Sequence, residues 1–355
     1  MRHSLRRLIC ASRAVWLAAL ACACTARAAK PVAPHSSAAI TPALHRGPLS
    51  DFVPAAGLRW LVLAKPQELF AEPELGPAIL QIIPERRLDA FAESSGVDLR
   101  QVRRGIIAGF PYATLYLAEL PGGVAAVARE RFSDRLLAGA VTKQPRPELM
   151  RITGVVGQTP ETLLTIEDRV LAVAVGDPLL AKVAEAYAEE RLKNSPSALH
   201  GSGLSTLPDL SAHNAAVLLA PGPFADEWRR AAGGLLESTV ALGIAVQPIG
   251  RGKIAATLCL SGAWGQPSEA DAAARRLATA WASLTQSSAG HLFQLNPNAN
   301  VSGSAELLTL SVELEIEPLI RGLKAAVLSD ISDFLELPGK SQNQSAPDLV
   351  PNAAP

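Results

Sequence analysis

A strand-to-helix unit recurs four times in this chain, each time with a proline near the helix start. The instances are Trp60-Leu-Val-Leu-Ala-Lys-Pro66, Leu171-Ala-Val-Ala-Val-Gly-Asp-Pro178, Ala216-Val-Leu-Leu-Ala-Pro-Gly-Pro223 and Leu310-Ser-Val-Glu-Leu-Glu-Ile-Glu-Pro318. Proline suits the first turn of a helix, where its missing N–H is no loss and its fixed φ is already helical. A chain built this way must alternate strands with helices. Two units also continue alike, as Asp177-Pro-Leu-Leu-Ala-Lys-Val and Glu317-Pro-Leu-Ile-Arg-Gly-Leu. They suggest two related α+β halves, 57–200 and 201–338. Coincidence accounts for the same pattern, since proline is common at helix starts. The segment 193–210, with Asn194-Ser195-Pro196 and Gly201-Ser202-Gly203, is the natural boundary.

Tight turns between short apolar runs supply the rest. Gly105–Phe110, Tyr112–Leu120 and Val124–Arg129 are separated by proline and glycine, which predicts a three-strand meander. Glu167-Asp168-Arg169 and Gly250-Arg251-Gly252 each join two apolar runs as hairpins. From Leu308 to Ile316 apolar residues alternate with Thr309, Ser311, Glu313 and Glu315, so one face of that strand is buried and the other wet. Helices are expected after Asp177-Pro178, after a capping box at Ser268 and Asp271, and after Glu317-Pro318. Their inward stripes are read as Leu179, Val183 and Tyr187; Leu277, Trp281 and Leu284; and Leu319, Leu323, Val327, Ile331 and Phe334. Hairpins outnumber long crossovers. The expected class is therefore α+β, mainly antiparallel sheets with helices packed on one face.

The first 28 residues have the three parts of a secretory signal. A basic start, Met-Arg-His-Ser-Leu-Arg-Arg, precedes an apolar run from Ala14 to about Cys24, and Ala26 and Ala28 frame a cut after Ala28. That run is shorter than the ~20 apolar residues a permanent membrane span requires. Cys24, and less well Cys22, also fits a lipoprotein signal, in which the thiol is acylated and becomes the new N-terminus. Lipidation and plain cleavage after Ala28 both remain open. Residues 29–56, rich in Ala, Pro and Ser, read as a tether, and 339–355 as a disordered tail. Export places the protein in the periplasm or attached to the outer membrane, with the membrane touched only through an N-terminal lipid.

Lys plus Arg and Asp plus Glu both number 33, but five arginines lie in the leader, leaving 28 basic residues against 33 acidic and a net charge of −5. Such a chain lacks the basic footprint for nucleic acid. Aromatic residues, at 5%, are too few for base- or sugar-stacking surfaces. Beyond the leader cysteines (Cys10 among them) only Cys259 remains, so the body has no disulfide and rests on its hydrophobic core. Cys259 reads as a small buried residue rather than a nucleophile.

Candidate chemistry is sparse. Gly250-x-Gly252-x-x-Ala255 matches a dinucleotide fingerprint only superficially, because a strand rather than a helix follows it. His200-Gly201-Ser202-Gly203 sets a base near a hydroxyl, but in a flexible segment it reads as a linker. The remaining histidines, His35, His45, His213 and His291, show no metal-ligand spacing. Glu313, Glu315 and Glu317 make a carboxylate row that reads as a solvated strand face. Trp228, Trp264 and Trp281 read as core residues. No catalytic, cofactor-binding or metal-binding residue is assigned.

Gly96-Val-Asp-Leu, and then the run from Thr162 through Glu167-Asp168-Arg169 to Gly176-Asp-Pro178, resembles a group of uncharacterised exported bacterial envelope proteins over residues 57–192. The resemblance implies an envelope protein, often lipid-anchored, with no catalytic residues to carry over. The leading expectation is a non-enzymatic exported envelope protein that binds an envelope protein partner or has an organising role in the periplasm or at the membrane surface. The alternatives are a hydrolase-type enzyme whose site is assembled from distant residues, and a small-molecule carrier with a groove between the two halves.

Overall fold

The computed structural model describes residues 43–335 other than 138, 193, 202 and 226–230, with the backbone alone for 231–233 and 326–335. Strand β1 (Trp60–Ala64) leads through α1 (Pro66–Ala71), α2 (Leu75–Ile82) and α3 (Glu85–Ser95) to the hairpin of β2 (Arg104–Phe110) and β3 (Ala113–Glu119). Helix α4 (Val124–Arg135) follows. Next come β4 (Val141–Arg146), β5 (Leu149–Val156), β6 (Thr159–Ile166) and β7 (Val170–Val175), then α5 (Leu179–Ala188) and the single turn α6 (Ala198–Gly201). The second half runs β8 (Ala216–Pro221), β9 (Thr239–Gly250), β10 (Lys253–Gly262), α7 (Pro267–Thr285), α8 (Ser288–Leu292), β11 (Asn300–Gly303), β12 (Leu307–Glu315) and α9 (Ile316–Leu335).

Among the described residues the strands form a single antiparallel sheet of twelve, in the order β11-β12-β10-β9-β8-β1-β2-β3-β7-β6-β5-β4. The α+β class and the antiparallel sheet expected from the hairpins are both present. Counted outward from the centre, β1-β2-β3-β7-β6 and β8-β9-β10-β12-β11 repeat one strand order, with β4 and β5 added at the first half's edge. The halves meet where β1 pairs with β8, Leu61 opposite Leu219 and Ala64 opposite Ala216. They share one sheet and one compact unit from Ala43 onward rather than forming separate domains. The likeness of the two Pro-led helices ends at packing: α5 and α9 go to opposite faces of the sheet.

Side-chain alternation along each strand sorts the core onto those two faces. Leu61, Ile106, Leu115, Leu164, Ala172 and Val217 point to one, where α5, α6 and residues 43–56 cover them. This is called the strap face. On the other, the helix face, α4 covers Ile152, Leu163 and Leu171. There α7 also covers Leu260, Leu308 and Leu310, and α2 with α9 covers Ile254 and Leu314. Over β10 and β12 the strap face is polar and wet, with Thr257 beside Ser311 and Lys253 bonded to Glu313 at 3.2 Å.

The expected hairpins are formed. Glu167 turns β6 into β7 at φ 53°, and Gly250, Arg251 and Gly252 turn β9 into β10 at φ 76°, 56° and 69°. Positive φ at three successive residues explains why glycine flanks the arginine.

Four local expectations are corrected. Val124–Arg129, read as a strand, begins α4, whose Ala125, Ala128 and Phe132 are buried at helical spacing. Residues 43–56, read as part of the tether, are packed: Phe52 and Val53 have no exposed surface, and Ala198 N–H donates to Val53 O. The start of α7 is Gln266-Pro267, two residues earlier than expected, with Glu269 accepting from the Gln266 N–H. Leu179, Leu284 and Leu323 are exposed rather than inward: α5 buries Leu180, Ala181, Ala184 and Ala188 instead, and among the described side chains α9 buries Ile316 and Ile320. Val327, Ile331 and Phe334 lie outside the described side chains.

Candidate functional site

Register places one apolar residue from each central strand in a row across the helix face. Leu310 opposes Leu258, Leu258 opposes Ile244, and Ile244 opposes Leu218. Leu218 opposes Val62, Val62 opposes Ile107, Ile107 opposes Tyr116, and Tyr116 opposes Val173. Helix α7 covers the Leu310 and Leu258 end, and α4 covers the Val173 end. Between them, over β8, β1, β2 and β3, the row is left partly exposed among the described residues. Ile107 is 37% exposed and Tyr116 43%, while Val62, Leu218 and Ile244 are half-buried.

Trp60 adds to this strip at 38% exposure. It stands opposite Gly109 in the β1–β2 register, and its indole lies where a side chain at 109 would be. A Cβ there would come within 2.1 Å of the ring. Single exposed apolar residues are ordinary on protein surfaces. A contiguous aromatic and aliphatic strip on the central strands of a large sheet is the kind of patch that marks an interaction surface.

The titratable groups with shifted equilibria lie elsewhere and have local causes. The Arg100 side chain holds the Asp98 carboxyl below its ordinary value, and the Ser211 hydroxyl does the same for Asp209. Burial pushes up the Tyr187 phenol and the Cys259 thiol.

One cleft does gather catalytic residue types. His45, Asp51, Tyr187, Glu190, Ser197 and His200 line a cavity of about 450 Å³ beside α5 and α6. His200 Nδ1 lies 3.0 Å from Ser197 Oγ, and His45 Nε2 lies 2.8 Å from Asp51 Oδ2. Acyl transfer would also require free N–H donors beside the serine. Two N–H groups of this turn are engaged, Ala198 N–H with Val53 O at 2.8 Å and His200 N–H with Ser197 O at 2.9 Å. Together with the 2.8 Å bond from His45 N–H to Ala188 O, these contacts fasten the 43–56 strap. His200, read as part of a linker, is in α6 with Ser197 as its described partner; Ser202 lies outside the described residues.

Of the carboxylate row, Glu313 and Glu315 stay together on the exposed face of β12 and only Glu317 leaves it. Glu313 is on β12 facing Lys253, whereas Glu317 is in α9 and bonded to Arg321 at 3.1 Å. Among the described residues no group of three His, Cys, Asp or Glu is arranged to hold a metal ion. The glycines at 250 and 252 form a hairpin turn whose Gly252 N–H donates to Glu74. Cys259 is buried, Trp264 is buried, and Trp281 donates to Asn296 O at 3.0 Å. Trp228, Cys22, Cys24 and Ala28 lie outside the described residues.

No family model and no curated protein matches the chain. Among solved structures, one described as "Structure of crystal form III of TP0453" is 11% identical and covers 79% of this chain and 99% of its own, at a TM-score of 0.47. A likeness at that level assigns no function to the chain.

Proposed function

We propose that this chain is an exported, non-enzymatic binding protein of the cell envelope that receives a partner protein on the open strip of its helix face. The observation that carries this reading is the exposure of Trp60, Ile107 and Tyr116 in one apolar row whose two ends are covered by helices. The exposed span is four strands wide, roughly 19 Å at ~4.8 Å per strand. A helix with its side chains is ~10–12 Å across, so one amphipathic helix of a partner fits between α4 and α7 with its apolar stripe down. The periplasmic or outer-membrane address rests on the leader-like first 28 residues.

A photo-crosslinking residue at Tyr116, tested in living cells, examines this directly. The expected result is one discrete protein adduct, absent when the probe replaces Ser311 on the wet strap face. Ile107→Asp should remove the adduct at Tyr116 while leaving the melting temperature within about 2 °C, as for a surface substitution. Equal labelling at Tyr116 and Ser311, or an adduct indifferent to Ile107→Asp, overturns the proposal.

A further inference from the structure

A second concavity lies on the strap face, where the two halves join. It encloses about 270 Å³ at the end of β1, beside the first residues of β2 and β8, with the Pro48–Ser50 turn against it. Its walls are apolar: Leu49, Leu63, Ile106 and Val217, all of the main core cluster. Two cations, Lys65 and Arg104, line it as well. Alternation along the strands explains the arrangement, since Leu63 and Lys65 share a face of β1, and Arg104 and Ile106 share the same face of β2. Lys65 Nζ is held by Ala212 O at 3.4 Å and lies 3.7 Å from the largely exposed Glu68. Arg104 makes no ion pair among the described residues, although Glu119 opposes it across the β2–β3 ladder. Of the other polar side chains at the opening, Ser50 makes no side-chain hydrogen bond among the described residues, and two are engaged. Asn214 donates to Leu210 O at 2.6 Å and the Ser211 hydroxyl to Asp209 at 2.7 Å.

A greasy cavity with two lysine- and arginine-borne charges at one side matches a ligand with one anionic end and one short apolar body. We infer that this cavity binds a small amphipathic carboxylate, a medium-chain fatty acid in chemical class. Arg104 and Lys65 hold the carboxylate, and Leu49, Leu63, Ile106 and Val217 enclose the chain. At about 270 Å³ the volume falls just short of the ~300–1,000 Å³ of drug-sized ligand sites, which selects a short chain over a full-length lipid tail. The site is on the opposite face from the open strip and is independent of it.

Isothermal titration of the purified chain with decanoate, below its micelle concentration, tests the inference, with decanol and acetate as comparison probes. One equivalent of decanoate should bind, and acetate should not. Arg104→Glu, at an exposed position, should weaken decanoate about tenfold or more, as expected for loss of a charge-assisted contact, while decanol binding stays unchanged. Leu63→Phe, which narrows the cavity, should weaken both. Absence of decanoate binding to the folded chain overturns the inference, as does binding indifferent to Arg104→Glu. Loss of decanoate binding on Ile107→Asp would move the ligand to the strip and equally overturn it.

Discussion

Arg100 holds three carboxylates at once: Asp89 at 2.7 Å, Asp98 at 2.8 Å and Glu85 at 3.5 Å. Asp98 also accepts the Arg100 backbone N–H, capping the turn that leads from α3 into β2. Its carboxyl therefore titrates below its unfolded value. The stabilisation is in place above about pH 4 and is lost as pH falls through the native value. Asp98→Asn keeps a capping oxygen and removes the charge. We expect it to lower stability at pH 7 by up to about 1 kcal/mol, since the group is partly exposed. The melting curves of variant and parent should converge in strong acid; a difference that persists there would mean the charge is irrelevant. Gly109 makes a second residue-scale case. Gly109→Ala must move the Trp60 indole off the sheet, because the new methyl overlaps the ring. A red shift of Trp60 fluorescence, read in a variant whose other tryptophans are replaced by phenylalanine, is the expected outcome.

At the scale of elements, local signals in the sequence carried far. Gly-Arg-Gly at 250–252 and Glu-Asp-Arg at 167–169 announced their hairpins because such turns need positive φ, which few residues supply. The Leu308–Ile316 alternation announced a half-buried strand for the same kind of local reason. Val124–Arg129 misled because a short apolar run does not distinguish a strand from the first turns of a helix. The strap misled because its anchors, Leu44, Leu49, Phe52 and Val53, are spread through Ala, Pro and Ser without a period. Their burial depends on α5 and α6, far along the chain. The strip was illegible for a related reason. Trp60, Val62, Ile107 and Tyr116 sit in runs that read as strands, but their exposure is decided by where α4 and α7 stop. If the strap is part of the core, Phe52→Ala should cost about 3–5 kcal/mol, as for a fully buried phenylalanine. Chemical denaturation measures this, and a loss below about 1 kcal/mol would return residues 43–56 to the tether.

Taken whole, the molecule is one sheet with its long helices gathered mainly on one side and a strap closing the other. Its proposed address rests on the leader-like first 28 residues rather than on the fold. Intact mass of the mature protein should therefore show either a diacylglycerol-modified start at Cys24 or Cys22 or an unmodified start at Ala29. Recovery of the chain from the cytoplasm with Met1 in place would refute export. The β1–β8 junction has its own consequence for how such a chain comes into being. Strand β1 emerges among the first folded residues, yet its partner along one edge is not available until Ala216–Pro221 has followed. Until then the middle of the final sheet is an unprotected rim, and early-emerging pieces cannot complete themselves. Closing so distant a contact is slow and leaves sticky backbone in the open. A topology of this kind leaves its first half waiting on its second for the contact that closes the sheet.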